Sequence, residues 1–497
     1  MNRALMTLSP LHIGKGTSLQ VSDYTIINGR YVRIDVDSAF SLVSQYGKVG
    51  EVLRTLEQLL DEFSKTGDNA RKVEIRRELD FLRLCSREDS ELKEAVEHRL
   101  DEISLYSIPS FLPERITGRL IDEQLKDADR EVYVPGTAIK GALRTSLLAH
   151  VIPQLETGEK KDIIHFISEK TRNKPVGRDS RLMKILDDCL VQQAFHCGKK
   201  WRNSSNVTFK DLKYDLLRFL VVQDSSALSP EESLGVIYPK QYALSSIEAG
   251  QDSINPCEAI LPSVTFSFDL NVRVEELFLL ASKLNFSYKG RRGIRDAQGD
   301  ISWVDIEKKT SRLFNLDLNS LNRNNFDEFR GNVVAHVLEC CRKFYREVLR
   351  HDRNWLEHAK ARGASGELFE YLDHFYEQLD QLMGQGAVVM KTGSGAGFHS
   401  KTVMLSMLLD DVPQDSCLKD TMIALMKQFE IGKPPDHKGA YFLNTDTFPT
   451  SRPLVINEPV VDSFGWVMVQ QGPSAVAEQD FLERIDRNYR EHILTHD

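Results

Sequence analysis

The seven cysteines of this 497-residue chain (Cys85, Cys189, Cys197, Cys257, Cys340, Cys341 and Cys417) include no Cys-x-x-Cys pair, which removes the common zinc-ribbon and dithiol motifs. Adjacent Cys340 and Cys341 point in different directions on a helix. Cys189, His196 and Cys197 give at most three of the four ligands of a structural zinc site, so reduced thiols partly buried in helices are the reading adopted. No apolar run reaches the length of a membrane span, and the opening MNRALMTLSP has no apolar stretch ending in a small-residue cleavage site. A cytoplasmic protein with no membrane contact is expected. Asn206 opens a formal glycosylation sequon that has no meaning without secretion. Regular alternation of strand and helix is missing, which argues against a Rossmann or barrel fold. No Ser/His/Asp order is visible, and no cofactor is implied.

What is present is an ordinary globular composition, 41% apolar and 28% charged, in a chain long enough for several cores. The net charge of -9 argues mildly against nucleic-acid binding, but a binding surface needs only local positive charge. Such a place is Lys283–Arg295, which contains no acidic residue.

The coarse order is strands, helices, strands, helices, strands. Residues 24–36 read as a hairpin about Asn28-Gly29. Residues 48–100 and 159–222 carry helical periodicity. Residues 223–235 form a Ser/Pro-rich connector and a plausible boundary. Helices are expected over 274–285, 324–350, 364–383, 402–409 and 417–429, with strands at 387–391 and 466–470. This predicts an α+β fold of two units with helical insertions.

Four segments are candidates for chemistry. In Pro135-Gly136-Thr137-Ala138-Ile139-Lys140-Gly141-Ala142-Leu143-Arg144, a strand ends, turns and enters a helix, with Thr137 at its cap or first turn. Lys140 and Arg144 share a helical face at the end that repels cations, where an external phosphate would relieve them. In Gly393-Ser394-Gly395-Ala396-Gly397-Phe398, followed by Lys401, three glycines let backbone amides approach an anion. That loop lacks both the GxGxxG spacing and the Gly-Lys-Ser/Thr ending of a P-loop, so ATP hydrolysis is disfavoured. His12, Lys15 and their glycines follow the first strand. Tyr288, Lys289, Arg291 and Arg292 interleave an aromatic with bases, a pattern suited to stacking and phosphate contact. Against each stands a plainer alternative: a capped helix, a surface turn, a structural histidine, a solubilising hairpin. The acidic pairs Asp127/Asp129, Asp187-Asp188 and Asp410-Asp411 offer Mg²⁺ ligands only if they converge with others.

These segments together resemble the signatures of the CRISPR-associated RAMP superfamily. TLSPLHIGKG is similar to its N-terminal signature and YVPGTAIKGALR to its Pro-Gly-Ser/Thr-x-x-Lys-Gly-x-x-Arg signature. TGSGAGFHSKT resembles its glycine-rich loop, and PTSRPLV with Arg452 and Gly465-Trp466-Val467 resemble the tail of one branch. The nearest branch is the fifth RAMP subunit of type III-A (Csm) effector complexes. The resemblance implies two ferredoxin-like, RRM-related domains, here 1–228 with insertions near 48–100 and 159–222, and 236–475 with one near 318–383, before a polar tail at 476–497. It implies a non-catalytic subunit that caps the complex at the 3′ side of the guide RNA (crRNA) and supports guide maturation. The partners implied are the crRNA, the repeated RAMP backbone subunit, the small helical subunit, host nucleases and, indirectly, target RNA. RRM aromatic motifs are absent, so loops rather than a sheet face would hold the RNA. A metal-dependent ribonuclease that trims the guide and a pure protein scaffold are the alternatives.

Overall fold

The computed structural model describes residues 1–113, 118–171, 190–191, 194–197, 199–200, 215–247, 250–284, 287–288, 291–296, 299–364, 366–402, 404–405, 416–428, 447–457 and 460–470. The fold is mixed α+β, with several small sheets and numerous helices. Its centre is a five-stranded antiparallel sheet in the spatial order 388–391, 466–470, 2–7, 265–272, 220–222. Thr265–Val272 alternates exposed and buried positions along its first half, as a sheet with one covered face requires.

The covering elements are two helices. Gly136–Val151 buries Ile139, Leu143, Leu147 and Leu148. Phe326–Lys360, 35 residues long, packs along that helix and buries Val333, Val337, Cys341, Tyr345 and Val348. Along the chain the order is strand 2–7, helix 136–151, strands 220–222 and 265–272, helix 326–360 and strand 388–391. Strand 466–470 enters between the first and last of these strands. One apolar core runs from Leu5 to Val469. The sheet is therefore built from both sides of the 228–236 boundary. That connector is no loose linker. Asp224 Oδ1 accepts from the N–H of Gly136 (2.7 Å), and Ser225 Oγ accepts from that of Val134 (2.8 Å).

A second sheet has the order 14–19, 121–124, 257–260, 234–237. A third joins 24–27, 30–34 and 104–109, and its first turn is the expected Asn28-Gly29 hairpin with both residues at positive φ. Between Ile34 and Ser104 the chain leaves this sheet for six helices. These have their own core of Leu42, Val52, Leu59, Ile75, Phe81 and Val96. The helical reading of 48–100 is thus an insertion between paired strands. Further along, helices at Val274–Leu284, Gly366–Gly384 and Ser416–Gln428 and strands at Val388–Lys391 and Trp466–Gln470 match the periodicity closely, while the helix expected at 324–350 is Phe326–Lys360 and runs on past its expected end. The helix expected at 402–409 differs: four helical residues, Phe398–Lys401, come first, and 406–415 lie outside the described residues. So do 172–189, 201–214 and the tail from 471. Among the described residues no helix is long and apolar enough to cross a membrane.

Candidate functional site

The first strand ends in a segment pinned from below. Thr7 Oγ1 donates to the carbonyl of Leu261 (2.6 Å), and Leu11 and Ile260 exchange backbone bonds. His12 is only 5% exposed, with Nδ1 2.7 Å from the carbonyl of Glu258. Burial lowers its pKa, against the opposing pull of that bond, and keeps the ring neutral near pH 7. The side chain of Glu258 is itself fully buried. It accepts from Tyr106 Oη (2.5 Å), Lys126 Nζ (2.6 Å) and the N–H of Gln124 (3.1 Å). His12 is thus part of a buried polar network. Lys15, on the next strand, reaches outward: its side chain is 52% exposed and 3.7 Å from Glu123.

Pro135 precedes the first helical residue, Gly136, and cannot cap this end itself; the Asp224 carboxylate takes the N–H of Gly136. Gly136 is required by packing, since a Cβ there would stand 2.4 Å from the carbonyl of Val222. Thr137 is exposed in the first turn. Lys140 turns inward, donating from Nζ to the carbonyl of Leu220 (2.7 Å), and burial lowers its pKa. This relieves the cation inside the protein, where the sequence reading assigned the task to a phosphate. Arg144 is half-buried one turn further on.

In the glycine loop the three glycines do different jobs. Gly393 has φ +82°, and a Cβ would lie 2.6 Å from the carbonyl of His12. Gly395 lies against the ring of Phe464, with a Cβ placed 2.2 Å from it. Gly397 has φ +85° and open space around it. Ser394 is exposed, but its N–H donates to the carbonyl of His12 (2.8 Å), so this amide is not part of an anion nest. Lys401 is exposed and donates to the carbonyl of Ser394 (2.8 Å), closing the loop. Phe398 is half-buried with its ring 5.2 Å from that of Phe448.

Three of the four sequence segments therefore meet. Besides the Ser394–His12 bond, Gly465 donates to the carbonyl of Pro10 (2.8 Å) and Thr392 to that of Gly465 (2.8 Å). Thr392 Oγ1 is 3.3 Å from the carbonyl of Ala138, in the first turn of the Pro-Gly helix. The fourth segment lies elsewhere. Tyr288 pairs with Arg291 and Ser287 with Arg292 in a hairpin of the sheet that includes 299–302; Lys289 lies outside the described residues.

Arg452 is the clearest departure from a surface cation. It is buried, with Nε 2.9 Å from Asp352 Oδ1, its guanidinium near the ring of Trp355 and a further bond to the carbonyl of Pro449. Lys391 Nζ reaches the other carboxylate oxygen of Asp352 (2.8 Å). Burial alone would raise the Asp352 carboxyl, but the two cations outweigh it and hold its pKa at about 2. Asp352 and Glu258 gave no sequence signal, because an isolated acid within an apolar helical or strand pattern looks like any surface acid.

The acidic pair Asp127/Asp129 is a turn, in which Asp127 Oδ1 accepts from the N–H groups of Asp129 and Glu131. Asp187-Asp188 and Asp410-Asp411 lie outside the described residues, as does Cys189. His196 and Cys197 are buried, with His196 Nε2 3.9 Å from Asp215. Among the described residues the metal-ligating types converge at a place the sequence reading passed over, His150, His336 and Cys340, whose ligand atoms lie within 4.8 Å of one another.

No curated protein matches the chain. Among solved structures it resembles a chain of the cryo-EM structure of a Csm–crRNA–target RNA ternary complex of a type III-A CRISPR-Cas system. The TM-score is 0.57 at 19% identity, over 95% of this chain and 100% of that one. It also resembles the crystal structure of T. onnurineus Csm5, with TM-score 0.53 at 18% identity over 94% and 100%. At these identities the likeness is one of fold. The sequence itself matches the RAMP superfamily over residues 4–398, a span that runs from the first strand through the Pro-Gly helix to the glycine loop, and the chain belongs to that superfamily.

Proposed function

We propose that this chain is a non-catalytic guide-RNA-binding subunit of a type III-A Csm ribonucleoprotein, placed at the 3′ side of the crRNA and supporting its maturation. The observation that carries the proposal is the meeting of the His12, Ala138 and Thr392–Ser394 segments, through the Ser394–His12 backbone bond and the Thr392 hydroxyl on the carbonyl of Ala138. Superfamily membership and the resemblance to Csm5 support it. Around this joint Lys15, Thr137, Ser394 and Lys401 are exposed. We read them, together with half-buried Arg144, as a small basic and hydroxyl-bearing surface on an acidic protein. Such a surface holds a phosphate backbone by charge and shape, without reading bases. His12, Lys140 and Arg452 serve the scaffold beneath it, and the hairpin of Tyr288, Arg291 and Arg292 is a separate RNA contact. The repeated RAMP backbone subunit and the small helical subunit would dock on the remaining surface, which is also where host nucleases would be recruited.

We also read the central sheet as a ferredoxin-like unit. Its chain order is β-α-β-β-α-β, with the strand at 466–470 added between the first and fourth strands. On this reading one unit spans both halves of the chain, and the long segments between its elements are insertions. Among the described residues that order is traced once.

The test is crosslinking of crRNA to this chain within the assembled complex, compared with a Lys15→Ala/Arg144→Ala/Lys401→Ala variant that still assembles. Crosslinks to these segments, and at least tenfold weaker guide retention in the variant, are expected. Unchanged retention and no crosslink would leave the protein-scaffold reading in possession. Guide trimming by the purified chain that needs a metal ion would overturn the non-catalytic assignment.

A further inference from the structure

The residues that meet at His150, His336 and Cys340 take no part in the surface described above. His150 is in the last turn of the Gly136–Val151 helix, far from the Pro-Gly start. His336 and Cys340 are four apart on the Phe326–Lys360 helix and so share one face of it. We propose that His150, His336 and Cys340 form a binding site for a single zinc-class divalent cation that ties these two helices together.

All three ligand atoms lie within 4.8 Å of one another, and one of the pairs already has the spacing a tetrahedral ion needs. With metal–nitrogen bonds of about 2.05 Å and metal–thiolate bonds of about 2.3 Å, neighbouring ligand atoms stand about 3.5 Å apart. His336 Nε2 and Cys340 Sγ are 3.5 Å apart. The two imidazoles lie edge to face, with ring centres 5.0 Å apart, so small rotations bring the third ligand to the same point. The Gln154 amide nitrogen lies 2.8 Å from His150 Nε2 and fixes the position of that ring. Two nitrogens and one sulfur suit zinc or cobalt over magnesium or calcium.

The protonation states fit as well. Burial, with the neighbouring imidazole adding to it, lowers the pKa of His336 to about 4, and burial lowers His150, so both rings are neutral. Burial pushes the Cys340 thiol up to about 12. A bound cation reverses that last effect by stabilising the thiolate, so uptake releases a proton. The nearby positive charge of Lys343 is partly matched by Glu339, 3.6 Å away, which also pairs with Arg342. His336 and Glu339 line a groove of about 430 Å³ with Asn315, Phe329 and Asn332, a route for the ion from solvent. The fourth position is left to water.

The experiment is a Co²⁺ titration of the chelator-stripped full chain, read by absorption and followed by Zn²⁺ competition. One equivalent is expected to produce a near-ultraviolet thiolate-to-cobalt band and the intense visible bands of a tetrahedral ion, both removed by Zn²⁺. Cys340→Ser should abolish the thiolate band, and His336→Gln should weaken binding more than about a hundredfold. Cys85→Ser, a buried cysteine elsewhere, should leave both unchanged. Folding of each variant is checked by far-ultraviolet circular dichroism. Absence of the thiolate band in the parent chain, or its persistence in folded Cys340→Ser, would show that the three side chains are ordinary helix packing.

Discussion

The backbone N–H of Ser394 donates to the carbonyl of His12 at 2.8 Å, joining the glycine loop to the end of the first strand. This bond forms only because Gly393, beside it, has φ +82° and no Cβ to strike the same carbonyl. The glycines of this loop are therefore first a condition for closing the fold, and only then a surface for a ligand. That ranking has measurable consequences.

Gly465→Ala places a Cβ 2.2 Å from the carbonyl of Thr392 at a position of φ +81°, whereas Gly397→Ala at φ +85° meets open space. The second change carries only the backbone penalty of a Cβ at φ +85°, ψ 174°, about 1–3 kcal/mol. The first adds to its own backbone penalty a collision with backbone that cannot move aside, and is expected to exceed about 4 kcal/mol. Urea unfolding of the two variants should separate them clearly. Equal losses would mean that the Thr392–Gly465 contact yields easily.

Asp352 holds Lys391 and Arg452 in the core. Asp352→Asn leaves two buried cations against a neutral amide, at a cost of about 3–5 kcal/mol. The pH dependence has a definite sign. The Asp352 carboxyl, with its folded pKa lowered to about 2, binds its proton more readily in the unfolded chain. Its stabilisation is complete above about pH 4 and is lost as pH falls toward about 2. Chemical unfolding across that window should show a smaller acid-side decline in Asp352→Asn than in the parent.

Lys15 and Lys401 are exposed, and Lys401 keeps two N–H donors beyond its bond to Ser394. Replacing either by alanine should weaken guide binding similarly for all guide sequences. It should also reduce the slope of log affinity against log salt by about 0.7. Fluorescence anisotropy across a KCl series measures both. A sequence-dependent loss would point to base contacts in place of phosphate contacts.

Lys140 sits within the same signature yet donates to the carbonyl of Leu220. Lys140→Met should lower stability by about 1–2 kcal/mol, for loss of a charge-assisted, half-buried bond, and leave the salt slope as it was. A changed slope at unchanged stability would return Lys140 to the RNA surface.

Much of the secondary structure was legible because periodicity reports local burial. The helix at 326–360, the Asn28-Gly29 hairpin and the strand at 466–470 are examples. Pairing was not legible. Nothing in Asn2–Thr7 says that its neighbours are Thr265–Val272 and Trp466–Gln470, since partner choice depends on the assembled sheet. The same limit explains the fate of the basic residues. Arg452 and Lys140 look identical to Lys15 and Lys401 on the page, and only the distant Asp352 and Leu220 turn them inward. The His150–His336–Cys340 cluster was hidden for the same reason, with its third ligand on a helix remote in sequence.

The place of Asn2–Thr7 in the middle of the central sheet has a consequence for synthesis. A ribosome makes this strand long before the strand that covers one of its edges, Trp466–Gln470. In the interval between them that edge presents unpaired N–H and C=O groups, the kind of surface on which chains aggregate. The nascent protein therefore depends on protection that its own sequence supplies only after the intervening elements are made.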